Sequence, residues 1–294
     1  MREIPQSRTR IEAFERISEW MMQAGRLVVA ASGGVDSMTL AVIAHRLSRR
    51  TPTICHAISP AVPAEATARV RRYAMRENWH LRCLDAGEMN DARYLANPVN
   101  RCYYCKTNLY AAIAPMAEDA IIVSGANLDD LDDFRPGLGA AAQVGARHPW
   151  IECEVDKQAV RAIAADLGLD DLAELPAGPC LSSRIETGIA IDPRTLLAIN
   201  DCEGLVRKAT GADIVRCRIR RDAVVIEIDA DTLAALSPAQ RESCVGTITE
   251  TLHSKIGLSL PGRLAPYRMG SAFLQGGSSA EAHEQNARIL DPGS

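Results

Sequence analysis

The sequence predicts an α/β protein, a parallel sheet covered by helices on both faces and followed by a smaller α+β domain. Three features carry that prediction. Apolar runs of strand length alternate with stretches of helical periodicity as far as Leu167. A tight turn, Ser32-Gly33-Gly34-Val35-Asp36-Ser37, joins the first apolar run to the helix after it. From Asp192 onward the texture changes to a helix, two adjacent strands and a further helix. A chain of 294 residues with 47% apolar content can bury cores for two domains. Their expected extents are 1–190 and 191–275, with a tail rich in Gly, Ser and charge over 276–294.

Taken in order, residues 10–24 place Ile11, Phe14, Ile17 and Met21 on one side of a helix that packs over the sheet's edge. Leu27–Ala31 is the first strand, and Met38–Ala44 lies in the helix beyond the glycine turn. Thr53–Ile58 is a second strand, after which Pro60 and Pro63 start a helix running to about Asn78. Trp79–Leu84, Ile121–Ser124 and His148–Ile151 are expected as the third, fourth and fifth strands, with a helix from Asp156 to Leu167. In the smaller domain the pattern predicts a helix over 193–209, strands at Ile214–Ile219 and Val224–Ile228, a helix after Pro238 and a last strand near Ile256–Leu260. That order is a β-α-β-β-α-β unit if a strand precedes the first helix.

Composition narrows the function classes. A net charge of −4 supplies no bulk basic field, which speaks against nucleic acid as a partner. No apolar run approaches membrane-spanning length and Met1–Pro5 lacks an apolar signal core, so a cytoplasmic protein without membrane contact is expected. Nine cysteines, an odd number, do not make a secreted disulfide framework.

Ligands of parallel sheets bind beyond the carboxyl ends of the strands, which here means loops 32–37, 57–60, 85–105 and 125–137. In the first, two glycines allow a sharp turn and the unpaired N–H groups of a helix N-terminus face an anion. Ser32 and Ser37 add hydroxyls, Asp36 can take a metal ion, and no Lys follows the glycines as it does in common NTPase loops. The loop over 125–137 carries Asp129, Asp130, Asp132 and Asp133 with Asn127 and Arg135; it is either a solvated acidic turn or a Mg²⁺ and nucleotide contact. Cys102 and Cys105 form a C-x-x-C pair, and Cys180 lies in a second turn. Three cysteines suit an iron-sulfur cluster with one iron left open, or a zinc site completed by a distant Cys or His. Arg216 and Arg218 share one face of a strand, as a phosphate fork or as a solvated face balanced by acids such as Glu227.

The turn at 32–37 closely resembles the pyrophosphate-binding loop of the adenine-nucleotide alpha-hydrolase superfamily. The ordered set S-G-G-V-D-S, N-R-C-Y-Y-C-K, G-A-N-L-D-D with R-P-G, P-C-L-S-S-R and P-Y-R-M-G-S is similar to the LarE family of ATP-dependent sulfur transferases and covers most of residues 25–275. The chain departs from the family pattern at Ala126, Pro179 and 260–264. The resemblance implies a Rossmann-like PP-loop domain, adenylation of a pyridinium carboxylate mononucleotide, and delivery of sulfur to it in nickel-pincer nucleotide synthesis. It implies ATP contacts from Ala30, Ser32, Gly33, Gly34, Asp36, Ser37, Gly125, Asn127, Asp130 and Arg135, with Mg²⁺, and mononucleotide phosphate contacts from Arg184, Arg216 and Arg218. It further implies a 4Fe-4S cluster on Cys102, Cys105 and Cys180, a separate sulfide donor and a homo-oligomer, with a hexamer as one such assembly. Some family members instead sacrifice the cysteine at position 180, which leaves dehydroalanine. The rival readings are a tRNA-thiolating enzyme, an amide-forming ATP pyrophosphatase and a nucleotide-binding module with structural zinc and no turnover.

Overall fold

The computed structural model describes residues 6–132 and 134–268, the side chains of the first four excepted. Asp133, the stretch 269–275 and the expected tail over 276–294 lie outside the described residues. The larger part of the chain runs α1 (Gln6–Gln23), β1 (Arg26–Ala30), α2 (Val35–Leu47), β2 (Thr53–Ala57), α3 (Ala64–Glu77), β3 (His80–Leu84), α4 (Ala92–Leu95), α5 (Arg101–Ile113), β4 (Ala120–Ser124), α6 (Pro136–Gln143), α7 (Pro149–Glu152), α8 (Lys157–Asp166) and α9 (Asp170–Ala173). It continues as α10 (Pro193–Thr210), β5 (Val215–Ile219), β6 (Val224–Ile228), α11 (Ala230–Ala235), α12 (Pro238–Ile256) and β7 (Gly262–Pro266).

Strands β1 to β4 form a parallel sheet in the order β3-β2-β1-β4. The central strand β1 must be apolar on both faces, and its alternation divides two cores. Leu27 and Val29 point into a cluster built with Ile17 and Met21 of α1, Leu40 and Ile43 of α2, and Val160 and Ile163 of α8. Val28 and Ala30 face the other way, onto Tyr110 and Ile113 of α5 and Ala140 and Ala141 of α6. The edge strand β3 is exposed or half-buried throughout, as an uncovered edge allows. On α1 the buried stripe is Ala13, Ile17 and Met21, with Phe14 partly covered, while Ile11 stands in solvent.

The smaller sheet has the order β5-β6-β7, antiparallel in the first pair and parallel in the second. Cys202 and Val206 of α10 and Ile248 and Leu252 of α12 pack against its inward residues Cys217 and Ile226. The same core takes in Ala61, Tyr94 and Leu181, so the loop after β2 and the Cys180 turn are tied to the smaller sheet.

Three expectations need correction. His148–Ile151 is not a strand: Pro149 has no N–H for a ladder and starts the short helix α7, leaving only a bridge between Val123 and Arg147. The last strand is Gly262–Pro266 rather than Ile256–Leu260, because α12 continues through Ile256 and ends on Gly257 in the left-handed conformation. No strand of the smaller sheet precedes α10 among the described residues; a single parallel bridge, Ile185 to Ile219, stands in its place.

The Cys180 turn is joined to the smaller domain by a buried ion pair. Arg184 Nε donates to Glu203 Oε1 at 2.7 Å and Nη2 to Oε2 at 3.1 Å, while Glu203 Oε1 also accepts from the Cys217 N–H at 2.9 Å. Removing one member of such a pair leaves the other charge buried alone. Glu203→Ala is expected to lower unfolding free energy by about 3–5 kcal/mol, seen as a fall in the urea midpoint.

Candidate active site

The site is built on the carboxyl ends of β1, β2 and β4. Ala30 ends β1, and the Ala31 N–H continues its pairing onto Cys55 O at 2.8 Å. The Ala31 carbonyl accepts from His56 Nδ1 at 2.8 Å, and a carbonyl can only accept, so the proton is on Nδ1. Nε2 then accepts from the Thr67 hydroxyl at 2.9 Å. The ring is buried and neutral, and burial pushes its pKa below the ordinary value.

In the turn, Ser37 Oγ donates to Gly34 O at 3.2 Å and accepts from the Ser32 N–H at 3.0 Å. Gly33 takes φ +87° and a Cβ there would meet Ala66 at 2.9 Å; Arg69 donates to the Gly33 carbonyl at 2.7 Å from behind. The N-cap Gly34 offers no side chain to α2, so the first-turn N–H groups are left for a ligand. Gly125, after β4, lies against that same turn: a Cβ would stand 2.6 Å from the Ser37 nitrogen.

Asp36 is the junction of the loops. Its Oδ1 accepts from Asn127 Nδ2 at 3.1 Å, its Oδ2 from Lys157 Nζ at 3.2 Å, and its main-chain oxygen from the Trp150 indole at 3.1 Å. Asn127 is itself buried and caps the turn Leu128–Leu131, with the Asp130 carboxylate accepting from its N–H at 3.1 Å. Asp130 also pairs with Arg135 at 2.9 Å, whereas Asp129 and Asp132 are exposed.

Cys102 and Cys105 lie in the first turns of α5, and Cys180 precedes the 3-10 turn Leu181–Arg184. That turn is held from several sides: Leu181 N–H donates to Ala61 O, Ser183 Oγ to Cys180 O at 2.7 Å, and Arg184 Nη1 to Pro179 O at 2.9 Å. Burial, and next to it the charge of Cys180, raises the Cys102 thiol and pushes Cys105 up to about 12. The Cys180 sulfur therefore lies near enough to α5 for its charge to act on both Cys102 and Cys105. Burial works to lower the ammonium of Lys106, but the Tyr110 phenol and the three thiols outweigh it and raise it. Among the described residues no three His, Cys, Asp or Glu side chains converge on a position for one ion.

Arg216 and Arg218 point away from the core of the smaller sheet and are buried, not solvated. Arg216 donates to Val215 O at 2.7 Å and Ala177 O at 2.6 Å, stacks 5.6 Å from the Tyr267 ring, and has a buried Nε without a partner. Burial and the nearby Arg184 lower its pKa to about 10. Arg218 donates to Glu227 at 2.7 Å and to Ser183 O at 3.1 Å. Both arginines thus clasp the segment that carries Cys180. Arg220, two residues further along, lines a concave pocket of about 340 Å³ with Arg263 and Arg268.

No family model matches the chain. An uncharacterized protein of Synechocystis sp. is 32% identical over 223 residues, 75% of this chain and 82% of that relative. An uncharacterized protein of Methanocaldococcus jannaschii is 28% identical over 211 residues, 70% of this chain and 79% of its own length. The pyridinium-3,5-bisthiocarboxylic acid mononucleotide synthase of Lactiplantibacillus plantarum is 28% identical over 207 residues, 69% of this chain and 74% of the synthase. The chain belongs to one family with the Synechocystis protein.

The predicted loop residues and the Asn127–Arg135 group come together around Asp36, and Cys180 lies near Cys102 and Cys105. Sequence reasoning missed Lys157, His56 and Arg69, which support the loop from other elements. It also missed Arg220, although the period-two pattern of Arg216 and Arg218 extends to it.

Two outcomes follow from this geometry. Because the folded-state pKa of His56 lies below its unfolded value of about 6.5, the unfolded chain binds more protons between the two. The contribution to stability is full above that value and is lost as pH falls below it, by at most about 1.4 kcal/mol per pH unit. Urea midpoints measured from pH 7.5 downward should show it, with a shallower slope in His56→Asn. Gly125→Ala forces a methyl onto the backbone of α2 and is expected to cost about 1–3 kcal/mol, read as a fall in the urea midpoint.

Proposed function

We propose that the protein is an ATP-dependent sulfur transferase that adenylates a carboxylate of a pyridinium dicarboxylate mononucleotide and replaces the activated oxygen with sulfur, as a step in nickel-pincer cofactor synthesis. The single observation that carries this reading is the junction at Asp36, where the glycine turn and the Asn127 loop meet. The name and similarity of the Lactiplantibacillus plantarum synthase supply the substrate class.

The residues divide the work. The main-chain N–H groups of Gly33, Gly34 and Ser37, with the Ser32 and Ser37 hydroxyls, take the β- and γ-phosphates of ATP. Asp36, with Asp130 behind Asn127, is the carboxylate set for Mg²⁺, which prefers few protein ligands and retains water. Ala30, Gly125 and Arg135 line the rest of the nucleotide's path. Arg216, whose buried Nε has no partner, is the arginine for the mononucleotide's phosphate, with Arg218 beside it, while Arg184 is held by Glu203 and positions the Cys180 turn.

In the first step a carboxylate oxygen of the substrate attacks the α-phosphorus, the bond to the bridging oxygen of the β-phosphate breaks, and pyrophosphate leaves with that electron pair. In the second a sulfur nucleophile attacks the acyl carbon, and AMP leaves with the carbon–oxygen bonding pair. Cys102, Cys105 and Cys180 would each supply one thiolate to a 4Fe-4S cluster, leaving one iron without a protein ligand. Such a cluster would supply Lewis-acid iron that keeps sulfide deprotonated near neutral pH. A separate small-molecule sulfide donor restores the sulfur after each turnover.

Anaerobic purification followed by iron and acid-labile sulfide analysis tests the sulfur half of the reading. Equal iron and sulfide in the wild type, with most of both lost in Cys180→Ala, is the expected result. Conversion of Cys180 to dehydroalanine, detected by mass spectrometry after turnover, would replace the cluster with a sacrificial cysteine. Pyrophosphate exchange into ATP tests the adenylation half, and exchange supported by another acid but not by the pyridinium mononucleotide overturns the substrate assignment.

A further inference from the structure

The turn from Ser32 to Ser37 offers hydroxyls and N–H groups to a phosphate chain but no cation, and its one charged residue, Asp36, repels the ligand. Pyrophosphate leaving the α-phosphorus gathers negative charge at the bridging oxygen, where a positive side chain does the most for the step. In P-loop NTPases that charge comes from a Lys inside the loop itself.

Here the fold brings a cation from elsewhere in the chain. Lys157 is the first residue of α8, whose start is fixed by Asp156 accepting from the Ala159 N–H at 2.7 Å. Helix α8 packs on α2, burying Val160 and Ile163 in the core they share. The ammonium thereby stands 3.2 Å from Asp36 Oδ2, on the carboxylate oxygen not used by Asn127. The neighbouring cations are otherwise engaged: Arg69 donates to the Gly33 carbonyl, and Arg135 pairs with Asp130. The Lys157 side chain is 36% exposed and that of Asp36 20%, so their contact is a weak, partly solvated pair that a polyanion can exchange for itself.

We propose that Lys157 is the phosphate-binding cation of the loop, contacting the β-phosphate of bound ATP and the pyrophosphate it becomes. Asp36 keeps the ammonium at the mouth of the turn until the nucleotide arrives, and is then released to its metal. Lysine acts here as a point charge, with no proton transferred. This inference rests on the nucleotide reading given under Proposed function.

Titration calorimetry without metal, in the presence of EDTA, separates the two, with inorganic pyrophosphate and AMP as probes. Lys157→Gln is expected to weaken pyrophosphate binding by about tenfold or more and leave AMP binding unchanged, with Lys157→Arg recovering most of the loss. Asp36→Asn removes the competing carboxylate and should bind metal-free pyrophosphate more tightly than the wild type. Unchanged pyrophosphate affinity in Lys157→Gln overturns the inference. So does an equal loss in Lys157→Gln and Asp36→Asn, or a parallel loss of AMP binding in Lys157→Gln, since each makes Lys157 a prop for Asp36 or for the fold. A wild type that binds neither probe overturns the nucleotide reading together with this inference.

Discussion

Asp36 is the point at which the larger domain's loops become one site. Its carboxylate accepts from Asn127 on one oxygen and Lys157 on the other, and its main-chain oxygen accepts from Trp150. Three elements remote in sequence therefore meet at the first turn of α2. The arrangement depends on Gly125, because any side chain there would strike the Ser37 backbone before the Asn127 loop could approach. A parallel sheet delivers its loops to one edge, but that delivery only brackets the distance between them. The close approach of Gly125 and the hydrogen bonds to Asp36 set it.

A second constraint links this edge to the smaller domain. The 177–184 segment is held by buried arginines from opposite sides: Arg184 reaches Glu203 of α10, while Arg216 and Arg218 of β5 donate to the carbonyls of Ala177 and Ser183. Buried ion pairs contribute little net stability against well-packed apolar residues, but they penalise other arrangements heavily. Their effect here is on register. A one-residue slip of β5 would turn Arg216 and Arg218 into the core of α10 and α12 and break both clasps. Cys180 thus keeps its place opposite α5 through a chain of charges running into the smaller sheet.

Much of this was legible from periodicity. Runs such as Leu27–Ala31 have a single reading between turn signals, and period-two alternation at 215–219 placed Arg216 and Arg218 together. Legibility failed where a local apolar pattern had two readings. His148–Ile151 looks like a strand by composition, yet Pro149 favours a helix start and Trp150 is fixed by a hydrogen bond to Asp36, which no local window contains. The end of α12 was misread because Gly257 terminates a helix as readily as it opens a strand. In the site, the glycine turn and the cysteines declare themselves by spacing. Lys157 does not: its role depends on how α8 lies across α2, a tertiary fact with no signature in the residues around it.

The burial of the arginines alters how an anion would be bound. On a solvated strand face, a phosphate would have to compete with water for each guanidinium. Here Arg216 and Arg218 have already lost their water and hold carbonyls and a carboxylate in its place, so their orientation is set before any ligand arrives. The same logic applies to Cys102 and Cys105, whose thiols are raised by burial and by the nearness of Cys180. Burial opposes isolated thiolates at Cys102 and Cys105, and a multiply charged centre bound there would displace both protons. The two features share one cause, the placing of charged and ionisable groups where burial removes much of their water.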